Sequence, residues 1–167
     1  MEIERKYLIR KMPQETADCL KLEIEQGYIC RKPVVRIRKS NDDYILTFKQ
    51  KHEGSGKSGN PLMNEEFEFF LDRKAYEHLK TKVDNNIICK TRYVIPLDGG
   101  LKAELDVFHG KLEGLVFVEV EFPDVESADS FVAPEWFGED VSADKRYRNG
   151  YLSELEDLSD FWSGNGY

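Results

Sequence analysis

Charged side chains in this sequence come in pairs set two residues apart. Glu2 and Glu4 lead to Lys6, and the spacing returns in Arg36 with Arg38, Lys49 with Lys51, Glu66 with Glu68, Lys90 with Arg92, Glu104 with Asp106 and Glu119 with Glu121. A step of two keeps side chains on one face of a β-strand. After the first segment each pair is of one sign. Carboxylate pairs offer oxygen ligands to a hard divalent cation such as Mg2+, which usually takes a few carboxylates together with substrate phosphates and water. Arginine pairs present planar forks to phosphate oxygens, and lysines add point charge. Phosphoryl transfer asks mainly for positioning and charge neutralisation, and a bound metal also activates water. No Ser/His/Asp or Cys/His set is required, and His52, His78 and His109 read as surface or loop residues without convincing partners.

The residues between the charges are largely apolar: Ile3 and Tyr7, Val35 and Ile37, Leu46 and Phe48, Phe67 and Phe69, Thr91 and Tyr93, Leu105 and Val107, then Val118, Val120 and Phe122. For any single strand this describes an antiparallel sheet with one wet face, on which cross-strand pairs contribute well under about 1 kcal/mol each. The joint pattern asks for more, because like charges on one strand repel unless water, counter-ions or a ligand lie among them. The aromatic faces need cover, which helices can supply from outside. The consistent architecture is an α+β fold: an eight-stranded, mostly antiparallel closed β-barrel with a charged interior and helices packed on the outside. Its tunnel sets eight acidic positions (2, 4, 66, 68, 104, 106, 119 and 121) among seven basic ones (6, 36, 38, 49, 51, 90 and 92). Burying so many charges unpaired is prohibitive. The tunnel is therefore expected to be wet, with a polyanion on the basic set and a divalent metal on the carboxylates.

The composition fits one domain spanning residues 1–167, with 40% hydrophobic and 12% aromatic residues to build a core. The net charge of -8 argues against a nucleic-acid backbone as partner but leaves room for a small anion in a local basic pocket. Cys19, Cys30 and Cys89 are odd in number, widely spaced and without a CxxC, which argues against zinc and fits a reducing compartment. No apolar run approaches the roughly 18 residues of a membrane span. The charged N-terminus is no signal peptide, so a cytoplasmic protein without membrane contact is expected.

Along the chain the patterns predict a strand over 2–9, a helix over 13–22, and strands over 24–30, 34–40 and 44–51, with a turn near Asn41–Asp43. The stretch 52–61 contains Gly56-Lys57-Ser58, but a phosphate loop needs glycine at position 51, where Lys51 stands. A hairpin loop able to cover a site is the better reading. Strands follow at 64–71, 87–95, 101–108 and 114–122, with a helix over 72–83 that aligns Ala75, Leu79 and Val83. Asp98-Gly99-Gly100 makes a tight turn, 125–137 reads as helical up to Pro134, and 151–162 as a last helix before a frayed end.

These residues resemble the CYTH, or triphosphate tunnel metalloenzyme, superfamily, which includes inorganic triphosphatases, thiamine triphosphatases and class IV adenylyl cyclases. The resemblance begins with Glu2-Ile3-Glu4-Arg5-Lys6. It continues in order through Gln26-Gly27-Tyr28, Arg36-Ile37-Arg38, Thr47-Phe48-Lys49, Glu66-Phe67-Glu68, Lys90-Thr91-Arg92-Tyr93, Glu104-Leu105-Asp106 and Glu119-Val120-Glu121. It closes with Asp144-Lys145-Arg146-Tyr147 and Asn149. It covers about residues 1–152, and its order makes it specific where the first motif alone is not.

The resemblance implies a metal-dependent hydrolase of triphosphates, most simply an inorganic triphosphatase using a metal-activated water. Thiamine triphosphatase, adenylyl cyclase and a non-catalytic polyphosphate or nucleotide binder are the alternatives. It implies substrate binding by Lys6, Arg36, Arg38, Lys49, Lys51, Lys90, Arg92 and Lys145. Mg2+ or Mn2+ would sit on Glu2, Glu4, Glu119 and Glu121, with Glu66, Glu68, Glu104 and Asp106 as further carboxylates, and Lys6, Tyr28 and Lys90 would act at the reacting phosphate. The expected partner is a small-molecule triphosphate, with room for a homodimer. One departure is Asn64, where many members carry arginine, so a phosphate contact is missing. Arg5 points to the outer face despite its place in the motif.

Overall fold

A computed structural model describes residues 3–51 and 64–162 of the 167-residue chain. Nine antiparallel strands form one sheet: β1 Ile3–Ile9, β2 Leu20–Arg31, β3 Val34–Ser40, β4 Asp43–Lys51, β5 Asn64–Leu71, β6 Asp84–Pro96, β7 Lys102–Phe108, β8 Val116–Phe122 and β9 Phe137–Asp140. Their spatial order is β5-β4-β3-β2-β6-β7-β8-β1-β9. The antiparallel sheet with a charged face is as expected. Pairing among the described residues leaves β5 and β9 as its edges.

β2 starts at Leu20, where a helix was expected to run to residue 22; only a single 3-10 turn, Gln14–Ala17, precedes it. The alternation of Leu20, Leu22 and Ile24 with Lys21, Glu23 and Glu25 has the strand period, and the ladder from Leu20↔Val94 to Gln26↔Ile88 overrides local helix preference. Gly27 of β2 permits close approach of the segment that leads into β6: a Cβ there would lie 2.6 Å from Val83 Cγ1.

Helix α1 is Arg73–Lys80, capped by Asp72, whose carboxylate accepts from Ala75 N at 2.7 Å. It anchors through the fully buried Tyr76, whose hydroxyl donates to Glu25 Oε1 at 2.9 Å. Helix α2 is only Val125–Ser130. Phe131 is already extended, and the segment expected to stay helical instead delivers Trp136 and the ninth strand. The expected terminal helix is two short ones, α3 Asn149–Leu152 and α4 Ser159–Trp162. Asp157 breaks the run by accepting from Ser159 N at 2.7 Å, yet Leu152, Leu155, Leu158 and Phe161 still turn inward. Among the described residues no helix is long and apolar enough to cross a membrane.

Two cores result. On the apolar face, Tyr7, Leu105, Val118, Val120 and Phe122 are covered by Ala128, Trp136 and Phe137. The second core lies on the opposite face, because Ile88, Phe108 and Phe117 stand in register with Gln26, Lys90 and Asp106. The C-terminal segment, with Tyr147, Leu152, Leu155 and Phe161, packs onto them. Helical cover was expected only on the apolar side; here the last segment floors one end of the charged face. Along β5, Phe67 and Phe69 remain about half exposed.

Candidate active site

Register decides which charges meet. Glu4 lies opposite Glu121 and Lys6 opposite Glu119. Glu119 also faces Glu104. Arg92 faces Asp106, and Lys90 faces Phe108. Arg36 faces Thr47 and Tyr28, Arg38 faces Gln26, and Lys49 faces Glu66. Directly paired residues share a face, so these side chains occupy one surface.

Its centre is a buried charge network. Asp106 is fully buried and accepts from Lys90 Nζ at 2.6 Å, from Arg92 Nε at 2.7 Å and from Arg92 Nη2 at 2.8 Å. Arg92 also pairs with Glu104 and lies 3.6 Å from Glu119. Burial draws the Lys90 ammonium below its ordinary value, to about 8, against the pull of Asp106 and with the help of Arg92. Burial works against ionised Asp106 too, yet Lys90 and Arg92 hold its pKa below the usual carboxylate range.

Lys6 joins this network from β1. Its Nζ donates to Glu119 Oε1 at 3.0 Å and to the Tyr147 carbonyl at 3.3 Å, and lies 3.4 Å from Glu4. Burial opposes the charge, but Glu119 and Glu4 outweigh it and raise the lysine pKa. Phe117 and Phe108 lie beneath Lys6 and Lys90, with the ammonium groups 5.7 and 5.4 Å from the ring centroids.

β2, β3 and β4 carry a different arrangement. Arg38 donates through Nε to Gln26 Oε1 at 3.1 Å, and Arg36 reaches Thr47 Oγ1 at 3.5 Å. Neither guanidinium forms an ion pair with a described carboxylate. Burial, followed by the like charges of Arg36 and Arg92, draws the Arg38 pKa down to about 10, which leaves it cationic at neutral pH but poorly compensated. Gln26 Nε2 and Arg36 Nε are buried donors with no partner. Buried donors ordinarily find acceptors, and the oxygens of an anion are acceptors that could satisfy these.

Glu66 and Glu68 lie on β5, at the other edge of the ladder from β1, and Lys49 stands 3.6 Å from Glu66. Tyr28 and Lys145 line a separate recess with Arg31 and Arg148. Asp106, expected as a metal ligand, has both oxygens committed to Lys90 and Arg92. Glu2 and the 52–61 loop lie outside the described residues, as does the Lys51 side chain. His109 has the partner that sequence reading denied it: its Nε2 is 2.7 Å from Thr91 Oγ1, which in turn donates to Glu23 at 2.9 Å on the other face. Gln26, Phe108 and Phe117 were not given a role in the site; Gln26 stood in the Gln26-Gly27-Tyr28 motif and in phase with the arginine strand, while the charge pattern signalled neither aromatic residue.

Arg5 turns outward as expected and pairs with Asp129 at 3.0 Å and Asp140 at 3.2 Å. Arg5→Ala should therefore leave the hydrolysis that the resemblance implies within about twofold of the parent, since partly exposed pairs are weak. Steady-state kinetics of the purified variant checks this; a large loss of kcat would place Arg5 in the site.

The carboxylates of Glu4, Glu104, Glu119 and Glu121 fit a hard divalent cation by chemistry and register, since in-register side chains start about 5 Å apart. Among the described residues no three of them converge as a finished metal cage. A set of a few carboxylates completed by substrate oxygens is what such a cation ordinarily takes.

No protein-family model matches the chain. An inorganic triphosphatase of Nitrosomonas europaea is 37% identical over 155 residues, covering 91% of this chain and 96% of that protein. An inorganic triphosphatase of Acetivibrio thermocellus is 32% identical over 159 residues, covering 90% and 92%. A crystal structure of the inorganic triphosphatase NE1496 superposes with a TM-score of 0.69 at 34% identity, covering 93% of this chain and 95% of that one. The Hippeastrum protein HpAC1 shares the fold at a TM-score of 0.52 and 16% identity, over 77% and 83% of the two chains. With the ordered charge motifs and the sheet that aligns them, these relatives show that the chain belongs to the CYTH, or triphosphate tunnel metalloenzyme, superfamily.

Proposed function

We propose that this chain hydrolyses inorganic triphosphate, with a divalent cation as cofactor. The observation that carries the reading is the division of one sheet face into two territories. On one, Arg36, Arg38 and Gln26 present donors that no described carboxylate satisfies. On the other, Glu4, Glu104, Glu119 and Glu121 align across β1, β7 and β8. A linear triphosphate is small, polyanionic and rich in acceptors, and it would bridge the two. Curling of the sheet into a tunnel would bring Glu66 and Glu68 toward β1. The curated relatives named as inorganic triphosphatases support the choice of substrate.

Each residue then has a physical task. Arg36 and Arg38 grip phosphate oxygens, with Gln26 fixing the Arg38 fork and Lys49 adding charge. Lys6, held between Glu119, Glu4 and the Tyr147 carbonyl, sets a cation among the carboxylates of the acidic territory. Asp106 and Lys90 act through Arg92, locking its guanidinium so that no reorganisation is needed when charge develops on the phosphoryl group. When bound on Glu4, Glu119 and Glu121, Mg2+ or Mn2+ supplies charge neutralisation and an activated water for attack at a terminal phosphorus. Tyr28 would orient the chain of phosphates, a role supported by its position opposite Arg36.

A phosphate-release assay comparing inorganic triphosphate, thiamine triphosphate and ATP, with Mg2+, Mn2+ or chelator, tests this directly. Inorganic triphosphate should be turned over fastest, chelator should abolish release, and Glu4→Gln should lower kcat by roughly 100-fold or more, the scale of losing one electrostatic contact to the reaction. Release that survives both chelator and Glu4→Gln would refute the cation's role. Binding of triphosphate without turnover would make the chain a binding protein.

A further inference from the structure

At one end of the charged face, where β2 meets the C-terminal segment, lies a recess of about 340 Å3 lined by Tyr28, Arg31, Val34, Lys145, Arg148 and Tyr151. We propose that it is a second phosphoryl-binding subsite, separate from the Arg36–Arg38 grip. This rests on the triphosphatase reading. The ligand chemistry is a phosphoryl group, supplied either by the far end of a polyphosphate longer than three units or by released orthophosphate.

Three cations here face one carboxylate, Glu154, in a chain whose net charge is -8. Glu154 is committed to Arg31. Lys145 and Arg148 make no ion pair with any described residue, so the recess keeps a positive surplus against the sign of the whole molecule. The backbone also makes room for it. Gly150 adds no side chain to the recess, and a Cβ there would sit 2.6 Å from Arg31 Nη2, the flexible end of that side chain. Two tyrosines wall the recess, and one of them connects it to the main site: Tyr28 faces Arg36 across the β2–β3 ladder. A phosphate chain gripped by Arg36 and Arg38 would pass Tyr28 to reach the recess.

Calorimetric titrations with chelator present, which prevents turnover, separate the possibilities. Linear tetraphosphate should bind the parent more tightly than triphosphate. Arg148→Ala should weaken tetraphosphate about tenfold, one lost charge-assisted contact, while triphosphate stays within about twofold. Arg148 is exposed on the surface, so this variant tests binding rather than folding. An Arg148-dependent tetraphosphate advantage identifies the chain end as the occupant. Arg148-dependent orthophosphate binding without a length effect identifies the released product. Either supports the subsite. If Arg148→Ala changes neither, the subsite is overturned while triphosphate binding and hydrolysis stand. If the parent binds and hydrolyses no triphosphate, the underlying triphosphatase reading fails instead.

Discussion

Replacing Arg38 by methionine is expected to weaken triphosphate binding by roughly 2–3 kcal/mol, about 30- to 150-fold, without lowering the thermal midpoint of the free protein. The two halves of this expectation have one cause. Arg38 is a half-buried cation flanked by Arg36 and Arg92, and partial burial with like charge draws its pKa down to about 10. Among the described residues, its one hydrogen-bond partner is the amide oxygen of Gln26. A group in that state costs the fold some stability and returns it when an anion arrives. Methionine keeps much of the side-chain packing and removes the uncompensated charge. Calorimetry with chelator present reads the affinity, and a thermal melt of the free protein reads the stability. A midpoint that falls by many degrees would mean that Arg38 is a structural cation, and unchanged affinity would remove it from the grip.

The charged pairs were legible because strand period and charge sign are local properties: two residues apart, same face, same sign. The partners were not legible, because cross-strand register depends on turns and bulges elsewhere. Asp106 shows the difference. Its sequence neighbour Glu104 marks it as one of a carboxylate pair, which suggests a metal ligand. Opposite Arg92 and beside Lys90, it becomes the closed centre of an ion network. The C-terminal segment misled in a similar way. Its leucines recur at near-helical spacing, so a continuous helix was the natural expectation, but Asp157 begins a new turn. Their target is Phe108 and Phe117, two aromatic residues in phase with the charged set. Reading β7 and β8 for charge alone hid the apolar floor of the site. The same segment brings the Tyr147 carbonyl to Lys6, a backbone contact that no side-chain pattern announces.

Asp106→Asn carries the largest expected effect on stability. It removes the carboxylate that directly pairs with both Lys90 and Arg92, and Lys90 is about 1% exposed. Breaking one partner of a buried ion pair typically costs roughly 3–5 kcal/mol. For a chain of this size that is a fall of about 10 °C in thermal midpoint, or somewhat more. The pH dependence gives a second signature. The Asp106 pKa in the folded protein lies below the ordinary 3.8 of an aspartate, so the unfolded chain binds its proton first as pH falls. Its contribution to stability is therefore present above about pH 3.8 and is lost as the solution is acidified through that value toward the folded pKa. Asp106→Asn should flatten that part of the acid limb. Lys90 changes in the alkaline direction: its folded pKa of about 8 lies below its ordinary 10.5, so in the parent its burdening charge is shed and stability recovers as pH rises between those values. With Asp106 neutral, only the more distant Glu119 among the described partners still opposes the desolvation of Lys90, and that recovery should begin at lower pH. Chemical denaturation of the parent and of Asp106→Asn across pH 3 to 10 reads both limbs. Parallel curves separated by a constant offset would show that Asp106 is not ionised in the native protein, and would undo the account of the network that fixes Arg92.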